Sequence, residues 1–282
     1  MIRTLSGLLL SLSLSVAPVL AGAPVAAAQQ EPATSKTPDE ALRADDPQAN
    51  PGRPTIATPA TLTPVGYFQF ETGFLGARDS QEFSSQSSFN EVVKFSVSRW
   101  IELLAVAEPF VHSSTAGQPA NGTGDVSLGV QGVVHHGEGA NPTLAVSYFR
   151  RVYNGGTPDL DIGSANDSAL LLASAEVRGF HYDTNFFFNA VSDNAIHRTQ
   201  FGQTLSVSHP LGKKFGVSGE IWHFTQPALR SNAVGNLWVL NYNARKNLVL
   251  DGGFNRGLTS TSTPWEVFVG FTYLLPHKIL RP

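Results

Sequence analysis

The chain has 282 residues, 41% of them hydrophobic, no cysteine and a formal charge of −3 at neutral pH. That balance excludes the cationic footprint by which proteins grip a nucleic-acid backbone. Without cysteine there is no disulfide framework, so a secreted fold of this composition must draw its stability from elsewhere.

Residues 1–28 read as a secretory signal, with Arg3 as the charged start, an apolar stretch over 5–20, and Ala26-Ala27-Ala28 before Gln29. Pro18 and the small-residue end argue against a spanning helix, and no later apolar run has the length one needs. No cysteine follows the apolar stretch to accept a lipid. Residues 29–53 are rich in Ala, Pro, Gln, Asp and Thr without periodicity, and are expected to form a disordered periplasmic leader. Residues 54–282 are expected to form the folded domain.

Ordered sequence begins near Arg53-Pro54, and from residue 65 the chain alternates with period two, the signature of strands. Residues 65–74 set Phe68, Phe70 and Phe74 against Gln69 and Glu71; residues 90–99 set Val93, Phe95 and Val97 against Lys94, Ser96 and Ser98. Strand 102–111 alternates least clearly, with Glu102, Leu104, Val106, Glu108 and Phe110 on one face. Further strands are expected over 125–134, 143–152, 167–177, 184–191, 200–208, 215–225 and 236–243. The closing pair spans 247–275, where Trp265, Val267, Val269, Phe271, Tyr273 and Leu275 oppose Glu266, Gly270 and Thr272, with Phe268 the bulky exception. Residues 276–282 follow this last aromatic row.

Two regularities point to an all-β, transmembrane, antiparallel up-and-down β-barrel of about 12 strands. Segments of about ten residues suit strands crossing a bilayer at a tilt. Connections also alternate long (76–88, 113–123, 154–166, 193–198, 226–234 and the last Gly/Ser/Thr loop) and short. Outer-membrane barrels share that asymmetry of long outer loops and short periplasmic turns, and an even strand count. A secreted β-sandwich, the rival architecture, predicts no such alternation. Expected surroundings are the bacterial outer membrane, its lipid and lipopolysaccharide, and the assembly machinery that inserts barrels.

Face assignment sends Glu71, Lys94, Glu108, Gln131, Arg151, Asn185, Glu220, Trp222 and Asp251 into the lumen as a candidate solute path, with Glu102, Glu176 and Asn189 beside them. Leu104, Val106, Phe149 and Phe187 share that face and make it amphipathic, suited to a small hydrophobic solute. The alternative is a narrow barrel whose polar interior side chains merely neutralise one another. His135-His136-x-Glu138 has ligand chemistry but sits alone in a Gly-rich turn, so no metal and no cofactor is expected. Gly122-x-Gly124 lacks the following helix of a dinucleotide site, and no elbow-like motif places a serine nucleophile, so an enzyme is not expected.

Three stretches together resemble the outer-membrane transporter family of the MetA pathway of phenol degradation. They are GRPTIATPATLTPVGYFQFETGF (52–74, with Arg53-Pro54 and Glu71-x-Gly73), GTGDVSLGVQ (122–131), and LDGGFNRGLT (250–259) followed by VFVGFTY (267–273). The resemblance covers most of the chain after Arg53 and implies an outer-membrane barrel that takes up hydrophobic or aromatic small molecules. A passive channel is thus the leading expectation; a plugged structural or surface-interaction barrel is the other.

Overall fold

In the computed structural model, which describes residues 47–81, 83–155, 165–193, 196–227 and 229–280, every regular element is a β-strand. Among the described residues no helix is long and apolar enough to cross a membrane. The expected signal and the expected leader up to residue 46 lie outside the described residues.

The strands are β1 Phe68–Arg78, β2 Ser85–Ser96, β3 Ile101–Thr115, β4 Gln118–Gly122, β5 Val126–His135, β6 Thr143–Tyr153, β7 Ala165–Val177, β8 Phe180–Asp193, β9 Ile196–Leu211, β10 Phe215–Gln226, β11 Ser231–Arg245, β12 Leu248–Gly257 and β13 Trp265–Leu274. All pairings are antiparallel between neighbours in sequence, apart from β1 with β13 and β3 with β5. Because β2 pairs with both β1 and β3, the sheet closes on itself and leaves no open edge in the ring. Twelve strands make the barrel. The short β4 pairs only with the upper part of β3, so the expected 113–123 loop is a hairpin that extends the wall.

All twelve expected strands are present, and their even number lets every pairing in the closed ring be antiparallel. Two of the expected long loops are corrected. Asp193 pairs with Ile196 and Gln226 with Ser231, so most of 193–198 and 226–234 belongs to tall hairpins. Their polar composition suggested loops, but a backbone ladder above the membrane needs no apolar face. The weak alternation of 102–111 also has a local cause. Opposite Phe89 and Glu91, β3 runs from Phe110 to Ala107, an extra residue that forms a bulge and shifts the phase. Phe110 is therefore 44% exposed on the outside, whereas Val111 is buried.

The exterior is apolar from strand to strand: Leu128, Val130, Leu171, Phe186, Ile221, Trp238, Leu240, Val267 and Val269 are all exposed. Aromatic side chains gather at both ends of this belt. Phe74–Phe89–Phe110, Phe188–Phe201 and Phe254–Trp265 contacts lie toward the long-loop end, and Phe68–Phe95 and Phe215–Tyr242 toward the short turns. Such girdles mark the two membrane interfaces of a barrel. The inner face is mostly polar, and its buried members include Gln69, Glu71, Lys94, Glu102, Gln131, Asn185, Glu220, Asp251 and Thr272.

A lumen occupied by the N-terminal segment

The chain before β1 is inside the barrel. Residues 47–67 enter at the short-turn end, where the Ala49 amide donates to the Lys246 carbonyl, and return to that end beside β2, where Gly66 donates to Ser96. The expected boundary at Arg53 thus marks no break in structure, since Asn50, Gly52 and Arg53 are already bonded to the wall. This segment has no regular secondary structure, so its backbone must find partners elsewhere.

Those partners are wall side chains. The amide of Asn50 donates to Gln69 (2.8 Å), Gly52 to Glu71 (3.0 Å), Ile56 and Ala57 to Glu220 (3.0 and 2.9 Å), Thr58 to Asn185 (2.6 Å), Ala60 to Ser174 (2.7 Å) and Thr63 to Glu102 (2.9 Å). Asn185 returns its amide to the Thr58 carbonyl at 2.9 Å, and Gln131 donates to the Pro59 carbonyl at 3.0 Å. The apolar half of the lumen receives the segment's apolar side chains. Ile56, Ala60 and Leu62 pack against a cluster that includes Val133, Leu170, Leu172, Phe187, Trp222 and Phe224. An amphipathic lumen therefore matches an amphipathic insert, which we call the plug.

The sequence-derived lumen residues fall into four groups. Glu71, Lys94, Gln131, Asn185, Glu220 and Asp251 are buried against the plug. Lys94 pairs with Glu71 at 2.6 Å, and Asp251 with Arg53 at 3.3 Å. Trp222 is buried above them, its indole N–H donating to Asn255 at 2.8 Å. Glu108 and Arg151 stand apart, toward the long-loop end. Asn90 donates to Glu108 at 2.9 Å, and Arg151 pairs with Asp125 at 2.8 Å. Glu176 is not in the lumen proper but at the rim, where His181 contacts both it (2.6 Å) and Asp183 (3.0 Å).

Sequence reasoning missed the plug and with it Arg53, Gln69, Ser174 and Asn255. One signal was available. Inward acids outnumber inward bases on the assigned faces, and buried carboxylates need donors. The small-residue run PTIATPATLTP just before the first strand could supply backbone amides without bulk.

Between the plug and the long-loop end lies a cavity of about 200 Å³, with Arg53, Pro54 and Ile56 from the plug and Trp222, Asn255 and Phe268 from the wall. No cluster of His, Asp or Glu among the described residues could hold a metal ion. At the short-turn end Ser174 donates to Asp183 (2.5 Å), and Asp183 in turn meets His181. The carboxylate separates hydroxyl from imidazole, so this chain of groups does not have the order that activates a serine.

No protein-family model and no curated protein matches the sequence. Solved structures do. An outer membrane channel from Pseudomonas putida F1 aligns over 81% of this chain and 100% of its own, with 14% identity and a TM-score of 0.58. NanC porin aligns over 73% and 100% with 10% identity and a TM-score of 0.52, and KdgM porin over 73% and 98% with 11% identity and a TM-score of 0.50. At these identities the likeness is one of fold. With the closed ring and the apolar, aromatic-girdled exterior, it gives the protein the fold of a bacterial outer-membrane β-barrel.

Proposed function

We propose that this barrel is a passive channel for small hydrophobic or aromatic compounds, held shut by residues 47–66. The observation that carries the reading is the way the plug is bonded. Between Asn50 and Thr63 the described contacts to the wall run through side chains, and no part of this segment joins the β-ladder. It can leave without breaking a strand pairing. The long loops would face outward, and the plug would enter from the periplasm. The amphipathic lumen and the resemblance to the phenol-degradation transporter family support the solute class; neither suggests an enzyme.

The second reading, a permanently plugged structural or surface-interaction barrel, draws on the buried Arg53–Asp251 pair and on the Gly52 amide held by Glu71, which favour a seated plug. Single-channel conductance in planar bilayers separates the two. A variant lacking residues 47–62 should conduct markedly more than the full chain if the plug is the closure. Equal conductance from an assembled barrel would refute the channel reading.

A further inference from the structure

The cavity above the plug has two owners. Arg53, Pro54 and Ile56 form its floor, and the wall contributes an apolar side from Trp222, Leu237 and Phe268. Those three wall side chains are almost fully buried, at 1%, 3% and 7% exposure. A volume of about 200 Å³ equals roughly seven waters at the ~30 Å³ that each occupies in the liquid. That is room for one ring with a substituent, and not for an oligosaccharide.

We propose that this cavity binds a small, uncharged, ring-bearing molecule with a hydroxyl or carbonyl oxygen, and that the bound molecule and the plug hold one another in place. The inference rests on the plug being able to leave, as the channel reading requires.

The charge of the site selects against ions. Among the described residues lining the cavity Arg53 is the one cation; it already faces Asp251 at 3.3 Å, and the buried Glu266 lines the cavity beside Asn255, its cross-strand neighbour. An anion would meet the Glu266 carboxylate and a guanidinium already engaged by Asp251. A cation would have to lose its hydration beside Arg53. Desolvated charge without a committed partner is strongly disfavoured. A neutral ring can lie against Trp222 and Phe268, where apolar contact dominates. Asn255 supplies direction: its carbonyl oxygen accepts the Trp222 N–H at 2.8 Å, which fixes the other end of the amide, the NH₂ group, as a donor. That NH₂ is the donor a ligand oxygen would take.

Because three floor residues belong to the plug, the cavity exists only while the plug is seated. A ligand with affinity for one conformation alone must stabilise that conformation, and by linkage the plug raises the ligand's affinity by the same factor. Plug departure then dissolves the site and frees its contents into the opened lumen.

The chain has no native cysteine, which makes the test clean. Ala60, fully buried in the plug, is replaced by cysteine (Ala60→Cys), and its modification by a water-soluble maleimide reports plug departure. The probes are 4-methylphenol, benzoate and benzylamine, titrated by calorimetry into purified barrel. The expected result is binding of 4-methylphenol at least tenfold tighter than either ion. Modification of Ala60→Cys should slow in proportion to occupancy. Affinity should fall at least tenfold in the variant lacking residues 47–62, and also in Ile56→Ser, which alters the floor without touching the wall. Undiminished affinity in both variants, preference for an ion, or no binding would overturn the proposal. Failure of the two readings is distinguishable. Raised conductance on deletion without ligand binding leaves the channel and removes the site. Lost binding without raised conductance leaves the site and removes the channel.

Discussion

Arg53 and Asp251 are 198 residues apart in sequence and meet inside the barrel, Nε to Oδ2 and Nη2 to Oδ1 both at 3.3 Å. The paired N–H···O geometry is that of a guanidinium fork on a carboxylate. It ties the plug to β12 across the whole length of the chain. Removing one member leaves a buried charge without its counterpart, an effect of about 3–5 kcal/mol in protein interiors. Arg53→Met should therefore shift the plug-release equilibrium by on the order of a hundredfold to a few thousandfold. The double variant Arg53→Met/Asp251→Asn should recover part of that loss. The measure is open probability in single-channel records; additive effects of the two substitutions would show that the pair does not act as a unit.

The berth of Arg53 is made by two glycines of the wall. A Cβ at Gly73 or Gly270 would overlap the guanidinium, whereas one at the outward Gly76 would meet nothing closer than 3.7 Å. Gly73→Ala should loosen the plug while the barrel still assembles, since alanine is acceptable in a strand. Gly76→Ala should leave conductance unchanged. Heat-modifiability on gels reports assembly, and equal conductance of the two variants would contradict the role given to Gly73.

Glu220 accepts the adjacent amides of Ile56 and Ala57, one on each carboxylate oxygen. Glutamine offers a single acceptor oxygen, so Glu220→Gln should leave one plug amide unsatisfied, at about 1–3 kcal/mol. In a channel this raises the frequency of opening or changes ion selectivity. In a permanently plugged barrel it lowers the unfolding midpoint in urea with conductance unchanged, and that outcome would favour the structural reading.

Lipid and lumen faces should respond differently to charge. Val130 is 40% exposed near the middle of β5, where an arginine costs roughly 2–4 kcal/mol at the bilayer midplane. Val130→Arg should impair folding into lipid vesicles. Ser127→Arg, on the inward face of the same strand, should fold with far smaller loss. Comparable damage from both would mean that the face assignment fails on β5.

The wall's orientation is open to direct labelling. Tags at Gln81, Gly117, Gly155 and Arg230, all in connections at the long-loop end, should be reached by antibody on intact cells. Tags at Gly137 and Lys213, in the short turns, should be reached only after the outer membrane is opened. The reverse pattern would invert the proposed topology and the direction of plug entry.

Period-two alternation is written locally, in side chains two residues apart, so each strand's outward face was legible without any partner. The row Trp265, Val267, Val269 and Phe271 and the inward Glu266 and Thr272 could be assigned from the chain alone. So could the number of barrel strands, because turn residues separate them, although the β4 hairpin was read as loop. Where alternation lapsed, at Glu108 to Phe110, an extra residue against β2 was responsible, and a bulge depends on both strands. The height of the β8–β9 and β10–β11 hairpins was likewise hidden, since backbone pairing leaves no mark on polar side chains. The plug was least legible of all. Its amides are satisfied by Glu71, Glu102, Ser174, Asn185 and Glu220, residues from 19 to 164 positions away, and such bonds impose no period on the segment that makes them. The cavity exists only where that irregular segment meets the closed wall, so tertiary structure alone decided that Arg53, Ile56, Trp222, Asn255 and Phe268 share one space.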